Sequence, residues 1–548
     1  DDGVTPVLVK SKRGTDQALL SQGDEDQSNL LLRGLLTYDH TFNKHHTVNL
    51  VFGVERETVN FDNFGASRKY FISSLIDQLS AGGDAEKDNY GSAWDRARLN
   101  YFGRAAYNYK EKYLAEFVWR YDGSYMFPAS SRFGFFPGIM AGWRISEENF
   151  WKNNIRFMNY LKVRASWGKL GNDQIYFDDN GDGSLTLQEY QYYATYGFNS
   201  YILGGNVVKS LFEARMPNPF ITWEVANNYN VGLDGALLNN RLYFELDAFM
   251  NKRTGILVRR NASVPQTTGM TLPAENIGKV DNKGWEFRIG YTDKIGPDFR
   301  YDVSVNGGYS RNKIIFWDEA PGAPTWQKST GQPMNTALYY QYDGVFRDFD
   351  DINKNTIDYS ALTNNLRPGD MKFKDIDGNG KINGDDRVRN DRSTQPTFTG
   401  GMNISLQYKG FDMAVLVQGA SGGALAINTE SGEIGNFTKD YYDHRWSPDN
   451  PSSVDPRVND RNDTYWATGN TYWLRNTNYI RLKNLEIGYS LTEFLKKRSG
   501  VSGLRIYANC LNLFTLDKLG ILDPESVNGN GQYYPQARVI NAGFTLTL

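Results

Sequence analysis

Two acidic segments punctuated by glycine are the residues of this 548-residue chain best suited to chemistry. The first runs Asp178-Asp179-Asn180-Gly181-Asp182-Gly183-Ser184-Leu185-Thr186-Leu187-Gln188-Glu189. It puts oxygen-bearing side chains at positions 1, 3, 5 and 12 of a twelve-residue frame, glycine at 6 and an aliphatic residue at 8, the pattern of an EF-hand calcium loop. Calcium takes hard oxygen ligands in number, and this spacing wraps them round one ion. Asp178, Asn180 and Asp182 would offer side-chain oxygens, Ser184 its backbone carbonyl, Thr186 a direct or water-mediated contact, and Glu189 a bidentate carboxylate. The competing reading is a solvated acidic turn.

The second segment, Asp375-Ile376-Asp377-Gly378-Asn379-Gly380-Lys381-Ile382-Asn383-Gly384-Asp385-Asp386, has the same frame with aspartate last. Asp375, Asp377, Asn379, the carbonyl of Lys381 and a single oxygen of Asp386 would form its donor set. Its competing reading is a tight Asp-Gly/Asn-Gly turn that needs no metal. No helical pattern flanks either segment, so both read as structural clips of the weak extracellular class, with affinities of ~10⁻⁴ to 10⁻³ M, and not as sensors.

Other reactive residues read blandly. His40, His45 and His46 lack the helical spacing and fourth ligand of a zinc site, and His444 stands alone. The single cysteine, Cys510, alternates with Leu504, Ile506 and Ala508 on one apolar face, which makes it filler. There is no Walker A motif, nucleophile elbow or zinc-protease motif, and the Asp385-Asp386 pair sits in a turn, so no enzyme is expected. Trp317, Trp326, Tyr465, Trp466, Tyr472 and Trp473 suit either stacking on a sugar or peptide or packing loops together.

The elements that must hold these loops announce themselves by a period of two. Leu161, Val163, Ala165 and Trp167 alternate with Lys162, Arg164 and Ser166, and Tyr301, Val303 and Val305 with Asp302, Ser304 and Asn306. Successive strand side chains point to opposite faces, so each stretch has one greasy and one wettable side. Fifteen such stretches occur, at about 30–42, 47–58, 99–109, 113–121, 136–145, 158–168, 227–237, 241–250, 284–292, 300–310, 397–408, 411–419, 479–490, 503–512 and 538–548. Tight links at 43–46, 110–112, 238–240 and 409–410 alternate with long ones at 59–98, 169–226, 251–283, 311–396 and 420–478, the two-sided pattern of an all-β transmembrane antiparallel barrel with short periplasmic turns and long extracellular loops.

Composition is compatible with this reading. A net charge of −3 gives no electrostatic footprint for nucleic acid. A barrel's lipid face uses only alternate residues, so the lack of a long apolar run excludes a spanning helix but not a spanning strand. Tyr107, Tyr109, Tyr113, Phe117, Trp119 and Tyr121 fall on the lipid face of one hairpin, with Trp143, Trp167, Tyr229, Trp285, Tyr291 and Tyr408 near other strand ends, as interfacial girdles require. Arg33, Glu55, Glu57, Arg104, Glu116, Arg120, Arg164, Glu245, Asp247, Glu286, Arg288 and Arg505 face the lumen with both signs, which suits plug contacts and wall ion pairs better than a charge-selective pore.

The wording of the chain is similar to one family. Tyr101-Phe102-Gly103-Arg104, Tyr121-Asp122-Gly123-Ser124, Gly142-Trp143-Arg144-Ile145-Ser146 and Asn276-Ile277-Gly278-Lys279-Val280, followed by Tyr342-Asp343-Gly344-Val345-Phe346, Pro368-Gly369-Asp370, Tyr408-Lys409-Gly410-Phe411-Asp412 and Tyr479-Ile480-Arg481-Leu482-Lys483, resemble in order and spacing the SusC/RagA family of TonB-dependent outer-membrane transporters. The resemblance spans about residues 99 to 548 and rests on many ordered motifs. It implies a 22-stranded barrel with a plug and a TonB-contacting amino-terminal part that have no counterpart here. The chain then reads throughout, 1–548, as the carboxy-terminal part of such a barrel, with residues 1–29 in an extracellular loop and Leu548 in the periplasm. The absence of a signal peptide near Asp1 fits a missing start. The resemblance further implies a SusD-like surface lipoprotein as lid, TonB as energy source, and an oligosaccharide or oligopeptide as cargo. A passive porin, or a calcium-stabilised adhesin or glycan-binding surface protein, are the rival readings.

Overall fold

A computed structural model of the protein describes residues 17–73, 75–177, 185–260, 272–427, 438–451, 454–458, 469–491, 503–526, 528–534 and 536–547. Fifteen strands form one antiparallel meander in which each pairs with its neighbours in chain order. They are β1 (Leu20–Phe42), β2 (His46–Arg68), β3 (Asp88–Tyr109), β4 (Tyr113–Ser124), β5 (Phe133–Arg144), β6 (Met158–Asn172), β7 (Glu224–Leu237), β8 (Leu242–Arg259), β9 (Ala274–Ile295), β10 (Phe299–Phe316), β11 (Phe398–Tyr408), β12 (Phe411–Ser421), β13 (Tyr479–Ser490), β14 (Gly503–Asp517) and β15 (Val539–Thr547).

All fifteen expected strands are present, and several run further than the alternation implies. β1 starts at Leu20 and β2 ends at Arg68, with Leu20 paired to Arg68, so residues 20–29 continue a strand where a loop was expected. β3, β8 and β9 are likewise longer at the loop end. The reason is solvent. A ladder such as Ser21-Gln22-Gly23-Asp24-Glu25-Asp26 stands in water on both faces, where hydrogen bonding persists and alternation is not required.

At the opposite end the turns are tight. Asn43 and Lys44 both have positive φ (49° and 60°), and His45 N–H closes the turn on Phe42 O at 3.1 Å. Lys110 and Glu111 repeat this geometry (51° and 54°), with Lys112 N–H on Tyr109 O at 2.9 Å. Such primed turns match the right-handed twist of the paired strands. The link at 145–157 is longer and carries a short helix, Asn149–Asn154. Beside it Glu148 accepts from Tyr113 Oη at 2.6 Å and Trp143 Nε1 at 3.2 Å.

Strand register turns the outward face into a belt. Phe299, Tyr408, Phe411, Tyr489, Ile506 and Phe544 are direct partners across six strands near the tight turns. Trp285, Tyr309, Phe398 and Ser421 form the matching row near the long loops. The ten residue steps from Phe398 to Tyr408, at about 3.4 Å each and tilted by about 40°, rise about 26 Å, the height of a barrel's apolar band. Aliphatic residues fill the rows between. Cys510 lies among them, opposite Leu485 and Ile540.

The long loops build apolar cores of their own. Tyr340, Phe346, Tyr359, Met371, Phe373, Ile382, Tyr441 and Trp473 form one buried cluster that joins the loop after β10 to the loop after β12. Met126, Phe127, Ile175 and Ile221 form a second beneath the loops after β4 and β6.

Candidate functional site

The second acidic loop sits on the first of these lobes. Ile382 is fully buried in the lobe core, and its amide donates to Asp358 O at 2.8 Å while Asp358 N donates to Gly380 O at 2.9 Å. That short bridge pins the loop, and Gly378 and Gly380 supply the left-handed backbone it needs (φ 72° and 81°). The carboxylates of Asp375, Asp377 and Asp386 converge, with one oxygen of each within 4.8 Å of the others. Asp375 accepts from the amides of Gly378 at 2.8 Å, Asn379 at 3.2 Å and Gly380 at 2.8 Å. These bonds, the one from Gly380 foremost, hold its carboxyl below the usual aspartate range.

Asp386 is fully buried and accepts from Ile376 N and Asn383 N, both at 2.8 Å. Asn379 Oδ1 accepts from Lys381 N at 2.8 Å. Each carboxylate oxygen has two lone pairs, so these amides orient the acids without exhausting them. Trp326 Nε1 donates to Asp385 O at 2.8 Å, and Gln327 Nε2 to Gly384 O at 2.7 Å, fastening a neighbouring segment over the loop.

Of the first acidic loop, Asp178, Asn180, Asp182 and Ser184 lie outside the described residues. Its flanks pair as a two-residue ladder, Tyr176 with Leu187 and Phe177 with Thr186. Glu189 is turned to the wall, where it accepts from Arg96 Nε at 2.6 Å and from Tyr125 Oη. Burial, followed by the bond to Glu189, raises the Tyr125 hydroxyl well above the ordinary tyrosine range.

Of the loop aromatics, Tyr472 and Trp473 pack into the lobe core. Trp473 is 9% exposed in the lobe core, and Tyr472 Oη donates to Asp455 Oδ1 at 2.7 Å. Burial pushes the Tyr359 hydroxyl up to about 12 and that of Tyr472 higher still, so neither is a base at neutral pH. Tyr465 and Trp466 lie outside the described residues. The histidines do not converge: His46 Nδ1 meets Tyr107 Oη at 2.8 Å, whereas the His40 ring sits edge-on to Phe42 at 4.3 Å.

The inward face of the sheet is laced by ion pairs. Arg33 faces Glu55 in register and pairs with it at 2.5 Å. Arg164 bridges Asp247 at 2.6 Å and Asp234 at 3.1 Å, and Arg104 pairs with Glu116. Arg505 joins Asp412 and Glu486. These mutually compensated charges make a polar wall without a dominant sign.

One inward residue stands apart from the others. Arg481, 2% exposed, donates through Nη2 to both oxygens of Asp523 at 2.8 Å, through Nη1 to Gln536 Oε1 at 2.8 Å and to Glu525, and through Nε to Thr515 Oγ1 at 2.8 Å. It clamps the loop between β14 and β15 against the wall. A second ion pair, from half-buried Arg457 Nε to buried Asp370 Oδ1 at 2.8 Å, ties the two halves of the loop lobe. Period two puts Arg481 on the inward face, but its partners lie 34 to 55 positions away, beyond any local pattern.

Comparison with known proteins gives a consistent picture. The family model described as TonB dependent receptor-like, beta-barrel matches residues 9–513. TonB-dependent receptor P3 of Formosa agariphila is 29% identical over 95% of this chain and 52% of its own length. TonB-dependent receptor SusC of Bacteroides thetaiotaomicron is 27% identical over 82% of this chain and 43% of its own length. Among solved structures, the RagAB peptide transporter superposes with a TM-score of 0.73 at 22% identity, over 96% of this chain and 56% of that one. The chain spans about half the length of the curated relatives it matches.

Proposed function

We propose, from the premise that the chain belongs to the TonB-dependent receptor-like β-barrel family, that it forms most of the wall and outer loops of an active importer. Barrels of this family lie in the bacterial outer membrane, and the function is that of a transporter, not an enzyme. The observation that carries the reading is the division of one fifteen-stranded meander into an outward apolar belt and an inward ion-paired wall. A transmembrane barrel needs both faces at once, and in a wide one the polar interior can serve as a conduit.

Further strands would complete the wall, because the outer edges of β1 and β15 carry backbone groups that hydrocarbon cannot satisfy, and a plug would fill its lumen. The cargo would be an oligosaccharide or oligopeptide, captured under a SusD-like lipoprotein lid and released inward when TonB disturbs the plug. Sequence likeness to a relative named TonB-dependent receptor SusC supports the coupling to TonB. Purification of the native protein from outer membranes in mild detergent, with mass spectrometry of every copurifying chain and small molecule, tests this. A plug-bearing segment, a surface lipoprotein and trapped glycan or peptide are expected. A plug-free barrel that conducts ions openly in single-channel recording would replace the importer with a porin.

The Asp375 to Asp386 loop would bind calcium as a structural clip. Three convergent carboxylates, Asn379 and the Lys381 carbonyl are all hard oxygen donors that suit this ion. Calcium titrated into chelator-treated protein should raise the protease resistance of the 317–397 loop, with a midpoint of ~10⁻⁴ to 10⁻³ M. The double variant Asp375→Asn with Asp377→Asn should lose that response, and a flat titration in the wild type would sink the metal. The Asp178 to Glu189 segment is a second calcium candidate. For Glu189 to ligate, it would have to share or leave its bond to Arg96.

A further inference from the structure

A groove of about 620 Å³ opens on the outward face where β10 to β14 meet. Three glycines lie in direct register there, Gly307 with Gly400 and Gly400 with Gly419, and of these Gly400 and Gly419 line the groove. Neighbouring rows of the belt carry side chains at these strands, so the missing ones leave a trough one side chain deep. Phe287 and Phe398 lean over its near end, where a Cβ on Gly307 would come within 2.9 Å and 3.0 Å of their rings. The far end runs out to Ile480 and Leu516, 55% and 64% exposed, and Val305, Met402 and Val417 form the lower wall.

Depth decides what can fill it. The glycine row lies one row below Trp285, Tyr309 and Phe398, the aromatic row on the loop side, and therefore just inside the hydrocarbon of the outer leaflet. Above that aromatic row, at headgroup depth, Lys283 and Arg311 face each other in register, and Lys518 stands at the far end of the groove. Arg311 is already paired with Asp391 at 3.4 Å, and Asp517 accepts from the amides of Leu519 and Gly520. The trough is continuous with the membrane-facing belt, so its surroundings are acyl chains. Lys518 at the rim of the groove, with Lys283 two rows above its near end, favours a phosphate headgroup over a neutral one.

We propose that the glycine-lined groove seats an acyl chain of an anionic outer-leaflet lipid, whose phosphate lies by Lys518 or Lys283. This rests on which face meets lipid and not on the cargo, so import can fail while the groove stands. The probe is native mass spectrometry of the intact protein with phosphatidylglycerol or with phosphatidylcholine of the same chains. Wild type should retain one phosphatidylglycerol under activation that strips phosphatidylcholine. Val417→Trp, which fills the trough without touching the glycine backbone, should lower that retention at least tenfold, whereas Val303→Trp, one row below the lower wall, should not.

Lys518→Gln combined with Lys283→Gln should erase the preference for the anionic headgroup. Equal retention by Val417→Trp and wild type would overturn the proposal, and so would a wild-type dimer that Val417→Trp dissociates with lipid retention unchanged. Phosphatidylglycerol carrying a diazirine in its chain supplies a measurement without any variant. Crosslinks should concentrate at Met402, Val417 and Ile480 over Val303, Ile404 and Val415, and even labelling would equally overturn the groove.

Discussion

Arg481 shows how much one side chain can carry in this wall. Its guanidinium satisfies two carboxylates, an amide and a hydroxyl from three separated segments, so its loss strips the half-buried Asp523 of its cation and leaves Glu525 with Lys483 alone. Arg481→Met should cost about 3 kcal/mol of local stability, read as faster hydrogen exchange at Leu519 to Ser526. Asp386 plays the same part in the acidic loop, accepting two backbone amides from full burial. Asp386→Ala should weaken the lobe by about 3 kcal/mol, and proteolysis of the 317–397 loop would measure it. Asp375 adds a pH dependence with a definite sign. Its folded carboxyl titrates below the ordinary value of 3.8, so its contribution is complete above that pH and fades as pH falls through the lower folded value. Protease resistance of the loop should therefore hold at pH 5 and fall below about pH 4; loss beginning at neutral pH would contradict this. The acid spacing from Asp375 to Asp386 was legible as a local motif, whereas the clamp round Arg481 was not, because its acids belong to another loop.

At the level of elements, the strand ends separate two kinds of hydrogen-bonded ladder. Within the membrane a ladder must also show lipid an apolar face, and alternation marks it in the sequence. Above the membrane the ladder alone suffices. β2 pairs on both sides far into that region, Asp62 with Asp26 on β1 and with Ala93 on β3. Amides at 60–66 should therefore exchange orders of magnitude more slowly than those of an open loop, which hydrogen exchange would read directly. The belt gives a second expectation. Val415 faces outward opposite Ile404, and the adjacent Ala414 faces inward opposite Glu486. Val415→Arg should lose about 2–4 kcal/mol near the midplane, and Ala414→Arg far less, since it gains a carboxylate neighbour. Folded fractions in a denaturant series would compare them, and equal losses would refute the facing of β12.

As a whole, the molecule is a stiff wall carrying loops that fold as small domains. The cluster from Tyr340 to Trp473 gives the 317–397 and 422–478 loops a shared core, fixed by Arg457 to Asp370 and by backbone bonds between Tyr340 and both Gly469 and Thr471. A shared core of this kind holds the two loops together at one end of the wall. Removing the shared core should loosen both loops together. Phe346→Ala should cost about 3–5 kcal/mol and raise protease cutting in the 438–458 segment as well as in 340–382. Cutting confined to the second would show that the loops fold separately.

The sequence by itself determined the all-β class, the count of fifteen strands, the side on which the long loops stand and the face each strand shows to lipid. These follow from period-two alternation and turn chemistry, which act between residues close in the chain. It also marked the Asp375 to Asp386 frame, and left Trp326, Tyr472 and Trp473 open between gripping cargo and packing loops. The tertiary structure decided what depends on register and on distant partners: the length of the ladders above the membrane, the clamp at Arg481, the loop lobe into which Tyr472 and Trp473 pack, and the alignment of Gly307, Gly400 and Gly419 in one row. A glycine in a strand says nothing of its neighbours until pairing sets three of them side by side. Pairing is fixed only when the whole sheet buries one face in lipid and turns the other to water.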